Sequence, residues 1–396
     1  MLDDLLELED AFDRRLPPEK LQGPPSRELL DAGARWAEAA WRAAERAGPA
    51  ELSPADLAWG RALAERPVFI CGAHRSGTTL LRDLLDGHPA LAVLPAEGTW
   101  LTGLQPKLAA LPEAERLPAL GREWLRRIAN PINQRPYWLL GRTGRGGSPY
   151  VEFARALLAW SNAFRGEHGE IAPHLAVALA WAWRTRGAET APHLWVDKTP
   201  THERFLDRLW GTFPAAKVLH IVRDPLAVLA SQKRLQERAF GSFAAPRAVL
   251  RDLATSYQIA ARESKRAPER FHLLRYEDLC AAPDEVMRRV AAFLEIEPLP
   301  VLLQPTVAGL PARNNSAFSS DGIAVSHGER DAALTAAERE MAAALVGPLA
   351  ERLSYSPGTP AAWRRAILRV KALAWSPRLR RLIGRWTGPE APLPPD

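Results

Sequence analysis

Cysteine is almost missing from this chain, with Cys71 and Cys280 the two examples in 396 residues. Two thiols so far apart in sequence, each in an apolar context, suggest neither a disulfide framework nor a zinc site, and a reducing compartment fits. No run of 18 apolar residues occurs, and Met1 to Arg15 is acidic and amphipathic rather than basic and then apolar. Neither a membrane span nor a signal peptide is therefore expected, and the location that follows is cytoplasmic. Internal repeats, long low-complexity tracts and recognisable nucleic-acid motifs are missing too, so nucleic acid is not an expected partner. The charge balance is mildly basic, 52 Lys and Arg against 46 Asp and Glu for a formal +6, which favours an anionic ligand or surface through the long-range field. The 35 prolines are spread through helices and loops alike and carry no functional weight.

What is present is an ordinary 47% hydrophobic content, enough for a real core in one large domain or two small ones, and an alternation of two periodicities. The first 65 residues have helical spacing, from Leu29 through Trp36 and Trp41, with a helix start at Ser53-Pro54-Ala55-Asp56. Short apolar runs then read as buried strands: Val68 to Cys71, Leu91 to Pro95, Leu194 to Val196, Lys217 to Val222 and Phe271 to Arg275. Segments of helical period lie between them, including Ser76 to Leu85, Thr201 to Phe213 and Leu226 to Gln236. This alternation predicts an α/β fold, a P-loop type parallel sheet flanked by helices. The expected organisation is an N-terminal helical accessory segment over 1–65, a main domain over 66–355 with a helical insertion at about 98–187, and a basic amphipathic tail over 356–396.

Immediately after the first strand comes Gly72-Ala73-His74-Arg75-Ser76-Gly77-Thr78-Thr79, followed by an apolar helix. Strand, glycine-bearing loop and helix in that order let backbone N–H groups and the helix dipole surround a phosphate. A nucleotide triphosphatase loop would carry lysine where this one has Thr78, so the cation that reaches β- and γ-phosphates is missing. Arg75 places a different cation inside the loop. Metal-dependent triphosphate chemistry becomes the weaker reading, and no metal is expected.

Arg75-Ser76-Gly77-Thr78-Thr79-Leu80-Leu81-Arg82, followed by Leu85-Asp86-Gly87-His88-Pro89, resembles the 5′-phosphosulfate loop of sulfotransferases, closest to the branch that includes tyrosylprotein sulfotransferases and many bacterial enzymes. Trp195-Val196-Asp197-Lys198-Thr199-Pro200 is similar to that family's Asp-Lys-Thr-Pro segment. Lys217 to Pro225 with Ser231 resembles its 3′-phosphate element, and Arg275-Tyr276-Glu277-Asp278-Leu279 a fourth segment. The four lie in the family's order over roughly residues 66 to 296, more than a chance match of one loop would cover.

The resemblance implies a transfer of the sulfuryl group from 3′-phosphoadenosine 5′-phosphosulfate to an acceptor hydroxyl or amine by in-line displacement. Arg75, Ser76, Gly77, Thr78 and Thr79 would hold the 5′-phosphosulfate, and Arg223 with Ser231 the 3′-phosphate. From its residues alone Arg223 is either that anion site, at a strand end, or an ion pair with Asp224. Lys198 would contact the bridging oxygen and the sulfonate, Arg75 sharing that work; taken alone it reads as a solvated loop lysine. Glu97, after the Leu91 to Pro95 run, is the expected base, one residue further from Arg75 than the usual pattern places it. His74 and His202 are reserve bases, each a packing residue in the plainer reading. Tyr276 would lie near the donor nucleotide, and Ser316, in the polar stretch Asn314 to Gly322, would contact the sulfonate.

The acceptor stays open among small molecules, carbohydrates, lipids and peptides. Residues 361–386 combine Trp363, Trp375 and Trp386 with many Arg and Lys, which suits either docking onto the protein's own core or peripheral contact with an anionic membrane. Trp124, Tyr137, Trp138, Trp160, Trp181 and Trp183 would either line an acceptor pocket or fill a helical core. Two alternatives remain: a non-catalytic nucleotide-binding member of the fold and a P-loop kinase-like phosphotransferase.

Overall fold

A computed structural model of the chain describes residues 2–16, 25–129, 137–144, 147–164, 172–184, 192–243, 245–311 and 333–355. Ser316 and the tail segment 361–386 lie outside the described residues.

Three helices come first, α1 (Leu2–Asp13), α2 (Arg27–Ala47) and α3 (Pro54–Ala64). The start signal at Ser53 works as a reciprocal cap: Asp56 N–H donates to Ser53 Oγ at 3.1 Å and Ser53 N–H to the Asp56 carboxylate at 3.0 Å. Next come β1 (Pro67–Cys71), α4 (Thr78–Leu85) and β2 (Leu91–Val93). A π-helical turn at Trp100–Leu104 leads into α5 (Gln105–Ala109), α6 (Glu113–Ala129), α7 (Pro149–Ala163) and α8 (Ala172–Arg184). Then follow β3 (Leu194–Lys198), α9 (Leu206–Thr212), β4 (Lys217–Val222), α10 (Pro225–Phe240), α11 (Pro246–Arg266) and β5 (Phe271–Arg275). The remaining elements are α12 (Tyr276–Ala281), α13 (Pro283–Leu294), a short hairpin of β6 (Thr306–Val307) and β7 (Leu310–Pro311), α14 (Ala336–Leu345) and α15 (Gly347–Glu351).

The five apolar runs form one parallel sheet in the order β2-β3-β1-β4-β5. Alternate residues of each strand serve opposite faces, as a two-residue period requires. Phe69, Cys71, Trp195 and Val218 join a core with α1, α2, α3 and α6 to α8; Val68, Ile70, Val196, Leu219 and Ile221 face a second core with α4 and α13. Helices thus cover both faces of the sheet, the reason its strands read as continuous apolar runs. In the first core, Trp36 meets Tyr150 and Trp138 edge-on at centroid distances of 5.0 and 5.1 Å, and Phe12 meets Trp138 at 5.5 Å. Each such pair adds about 0.5–1.5 kcal/mol to the area it buries.

Two helices differ from their sequence expectation for local reasons. α4 starts at Thr78 rather than Ser76 because Arg75 (φ 72°) and Gly77 (φ 107°) take left-handed backbone, which ends any helix before it. The segment from Thr201 opens instead with a tight 3₁₀ turn over Pro200–Phe205, which buries His202 and Glu203, and only then becomes α9. Glu203 is satisfied there: His220 Nε2 lies 2.6 Å from its carboxylate and Ser256 Oγ donates to it at 2.8 Å.

Candidate active site

Strand register decides what meets at the carboxyl edge of the sheet. Ile70 stands beside Lys198, Cys71 beside His220, and Val222 beside Arg275. The loop after β1, Lys198 closing β3, Arg223 after β4 and Tyr276 after β5 therefore open onto one edge. β1 lies between β3 and β4, and connections diverge from it to either side, which leaves a crevice where ligands of α/β sheets bind.

The loop 72–79 is folded tightly. Ser76 N–H and Ser76 Oγ both donate to the Ala73 carbonyl, at 3.1 and 2.6 Å. Gly77 has to be glycine twice over: its φ is 107°, and a Cβ there would sit 2.3 Å from Tyr276 Cδ2. Arg75 Nε donates to Ser231 Oγ at 3.0 Å, joining the loop to α10. Arg223 Nη1 donates to the Arg75 carbonyl at 2.9 Å, and its guanidinium lies over the Tyr276 ring, 4.1 Å from the centroid. Asp224 accepts from the Ala227 N–H and so caps α10, while the Tyr257 hydroxyl donates to the Arg223 carbonyl. Arg75, Arg223, Ser231 and Tyr276, distant in sequence, thus form one contact group.

Each of the two arginines touches the other's surroundings, Arg223 through the Arg75 carbonyl. Arg75 is depressed from its ordinary value by burial and then by the neighbouring charge of Arg223. Arg223 is buried, and its Nε has no hydrogen-bond partner among the described residues. An orphaned buried donor beside a second cation and a glycine-opened loop fits a phosphate or sulfate oxygen. The chemistry of this group suits an anionic ligand.

Lys198 closes β3 with its side chain 5% exposed, and Nζ donates to Glu97 Oε1 at 2.5 Å. Burial lowers Lys198, opposed by Glu97. For Glu97 burial acts upward, but Lys198, His74 and Arg82 together hold the carboxyl below its ordinary value. His74, within the loop, is exposed. His202 is buried, its Nδ1 3.4 Å from the Asp197 carboxylate, and Nε2 accepts from the Leu101 N–H at 3.4 Å, so it faces the protein's own backbone. Burial lowers its basicity first, against Asp197 and Glu97.

Two arginines brace the segment that carries Glu97. Arg82 donates through Nη1 to the Pro95 carbonyl at 2.8 Å and is paired with Asp83; Arg127, on α6, donates to the Glu97 carbonyl. Arg127 is one of many arginines on an amphipathic helix, and only the tertiary fold singles it out. The aromatic residues Trp124, Trp138 and Trp160 are fully or nearly buried core, whereas Tyr137, Trp181 and Trp183 are half-buried against it. A cavity of 530 Å³ beside β5, lined by Val222, Lys265, Arg275, Arg289 and Arg352 among others, does not include Arg75, Glu97, Lys198, Arg223, Ser231 or Tyr276. No described helix is long and apolar enough to cross a membrane.

Comparison with known proteins bears on the family. Nodulation protein NoeE of Sinorhizobium fredii is 30% identical over 249 residues, which cover 58% of this chain and 50% of that protein. A putative protein-tyrosine sulfotransferase of Caenorhabditis briggsae is 23% identical over 240 residues, 59% of this chain and 66% of that one. The chain thus spans half to about two thirds of these relatives. A solved sulfotransferase domain from the curacin biosynthetic pathway aligns with 74% of this chain and 98% of its own at 21% identity, with a TM-score of 0.42. The profile described as the sulfotransferase family matches residues 67–300, more than half of the sequence and the whole of the sheet, so the chain belongs to the sulfotransferase family.

Proposed function

We propose that this protein transfers the sulfuryl group of 3′-phosphoadenosine 5′-phosphosulfate to a hydroxyl or amine of an acceptor, without a metal ion. The observation that carries the reading is the convergence of the Lys198–Glu97 pair and the Arg75–Arg223–Ser231 group on one sheet edge. In this reading residues 66–355 are the catalytic domain, residues 1–65 an accessory helical segment, and the protein is cytoplasmic, with 361–386 as its candidate membrane contact.

Loop N–H groups of Ser76 to Thr79 and the Arg75 guanidinium take the 5′-phosphosulfate, while Arg223 and Ser231 take the 3′-phosphate. Tyr276 supplies an aromatic face next to Arg223, and Ser316 is the proposed sulfonate contact from the later loop. As the acceptor oxygen or nitrogen bonds to sulfur, the bond from sulfur to the bridging oxygen breaks and its electrons stay on the departing phosphate. Lys198 stabilises that growing charge, the kind of preorganised stabilisation that matters most in such transfers. Glu97 accepts the acceptor's proton. Turning Lys198 from Glu97 toward the donor frees the carboxylate for this work at the moment the donor is in place.

The test is calorimetric binding of 3′-phosphoadenosine 5′-phosphate against magnesium-ATP, in the wild type and in Arg223→Ala. Preferential, metal-independent binding of the former, weakened at least ~100-fold by the substitution, supports the reading; about two charge-assisted contacts account for that loss. Preference for magnesium-ATP would return the protein to a kinase-like reading. Binding without sulfate transfer to any acceptor would leave a non-catalytic nucleotide-binding protein. A tyrosine peptide belongs in the acceptor screen because one relative is named a putative protein-tyrosine sulfotransferase.

A further inference from the structure

The segment that carries Glu97 is held by more contacts than a turn between strand and helix needs. Arg82 Nη1 reaches the Pro95 carbonyl from α4 at 2.8 Å. Asp197 Oδ1, at the end of β3, accepts from the Gly98 N–H at 2.9 Å, and Thr199 Oγ1 accepts from the Thr99 N–H at 2.9 Å while donating to Asp197 at 3.1 Å. From the opposite side Arg127 Nη1 donates to the Glu97 carbonyl and stands 3.5 Å from the Gly98 carbonyl, and Arg127 Nη2 donates to Thr99 Oγ1 at 3.3 Å.

Two features show that this hold is tight. Thr99 has φ 48°, left-handed backbone that a β-branched residue avoids unless its surroundings over-determine it. Gly98 lies so close to Asp197 that a Cβ would fall 2.4 Å from Oδ2. Arg127 is itself aimed: Nε donates to Glu123 Oε1 at 2.9 Å, one turn back on α6, and the guanidinium lies over Trp124 with its centre 5.3 Å from the ring centroid.

We propose that Arg127 is a positioning residue for the transfer reaction: by clasping the Glu97–Thr99 backbone against Asp197 and Thr199, it sets the place of the Glu97 carboxylate relative to Lys198 and the attacking acceptor atom. The proposal rests on Glu97 being the base. Arg127 touches the backbone and not the carboxylate, so its effect is geometric, and misplacement of a catalytic group by about 1 Å costs on the order of 100-fold. A lysine at the same position keeps one donor for the Glu97 carbonyl and loses the fork to Thr99.

The experiment compares Arg127→Met and Arg127→Lys with the wild type and with Glu97→Gln, on the full chain, by two readouts. The first is amide hydrogen exchange over residues 97–104, where Gly98, Thr99 and Leu101 N–H groups are the reporters. The second is single-turnover release of sulfate from labelled 3′-phosphoadenosine 5′-phosphosulfate with enzyme in excess, water serving as acceptor. Arg127→Met should speed exchange in that segment at least ~10-fold, leave exchange in β1 and β4 unchanged, and slow release 10- to 100-fold. Arg127→Lys should recover part of both, and affinity for 3′-phosphoadenosine 5′-phosphate should stay within about 3-fold. Wild-type exchange in Arg127→Met, or faster exchange with wild-type release, overturns the proposal. Wild-type release in Glu97→Gln instead removes the base assignment, while the exchange data still report whether Arg127 holds the segment.

Discussion

Lys198 Nζ donates to Glu97 Oε1 at 2.5 Å, yet the lysine side chain is 5% exposed and the glutamate 38%. The buried cation thus has its partner on the solvent side of the site, where an entering anion can compete for it. A carboxylate tied to a cation is a poor base, so in the proposed reaction Glu97 would become available once Lys198 turns to a second anion.

It follows that Glu97→Gln and Lys198→Ala should both lose transfer activity, by about 10²- to 10⁴-fold, for different reasons: a missing proton acceptor in one and missing charge stabilisation in the other. Affinity for 3′-phosphoadenosine 5′-phosphate, which lacks the sulfuryl group, should change by less than about 3-fold in Glu97→Gln. Calorimetry alongside transfer rates separates the two effects, and full activity in Glu97→Gln would remove Glu97 as the base.

The pH dependence has a defined sign. Burial alone would raise Glu97, but Lys198, His74 and Arg82 hold it below the ordinary 4.5, so the acid limb of kcat/KM should lie below that pH and fall as the carboxylate protonates. Lys198→Met removes the strongest of these opposing charges, and the Glu97 titration should then move upward. A side-chain carboxyl NMR titration of both proteins measures this directly; an unmoved titration would mean the ion pair does not govern Glu97.

Asp83 makes the opposite contribution. Burial raises it from 3.8 to about 6 even though Arg82 is paired with it. The stability tied to its protonated form is complete below pH 3.8 and disappears as pH rises through about 6, about 3 kcal/mol in all. Urea unfolding at pH 4 and pH 7 should therefore show the wild type losing about 2 kcal/mol relative to Asp83→Asn, which lacks the titration, since part of the effect is already gone at pH 4. An equal pH response in both proteins would contradict this.

Gly77→Ala tests the junction between loop and aromatic. The new methyl would collide with Tyr276 at 2.3 Å and strain a φ of 107°, displacing the ring that lies over Arg223. Binding of 3′-phosphoadenosine 5′-phosphate should weaken at least ~10-fold, with the sheet's circular-dichroism signal retained. Unchanged affinity would mean that Tyr276 does not shape the anion site.

Much of this was legible in one dimension. The runs at Val68, Leu91, Leu194 and Lys217 are buried on both faces, and such strands announce themselves as continuous apolar stretches whatever their neighbours are, whereas the edge strand from Phe271 is partly buried. The strand–loop–helix order was legible for the same reason: Gly72, Arg75, Gly77 and Thr78 lie within a few residues of one another, so their order carries the signal. Helix starts were less so, because the left-handed backbone of Arg75, an arginine, leaves no residue-type mark, and α4 opened two residues later than its periodicity implied.

Sequence alone therefore determined the family, the α/β alternation and the cluster of residues at each strand end, since all of these depend on residue type and short-range order. Tertiary structure decided which of those ends face one another. Parallel register set Lys198 beside Ile70, so that its side chain reaches Glu97 across 101 residues, and the packing of α6 against α2, α5 and α7 brought Arg127 to the Glu97 carbonyl across 30. Contacts made to a backbone carbonyl across such distances depend on where the chain goes rather than on what it carries, so no residue pattern could have named them.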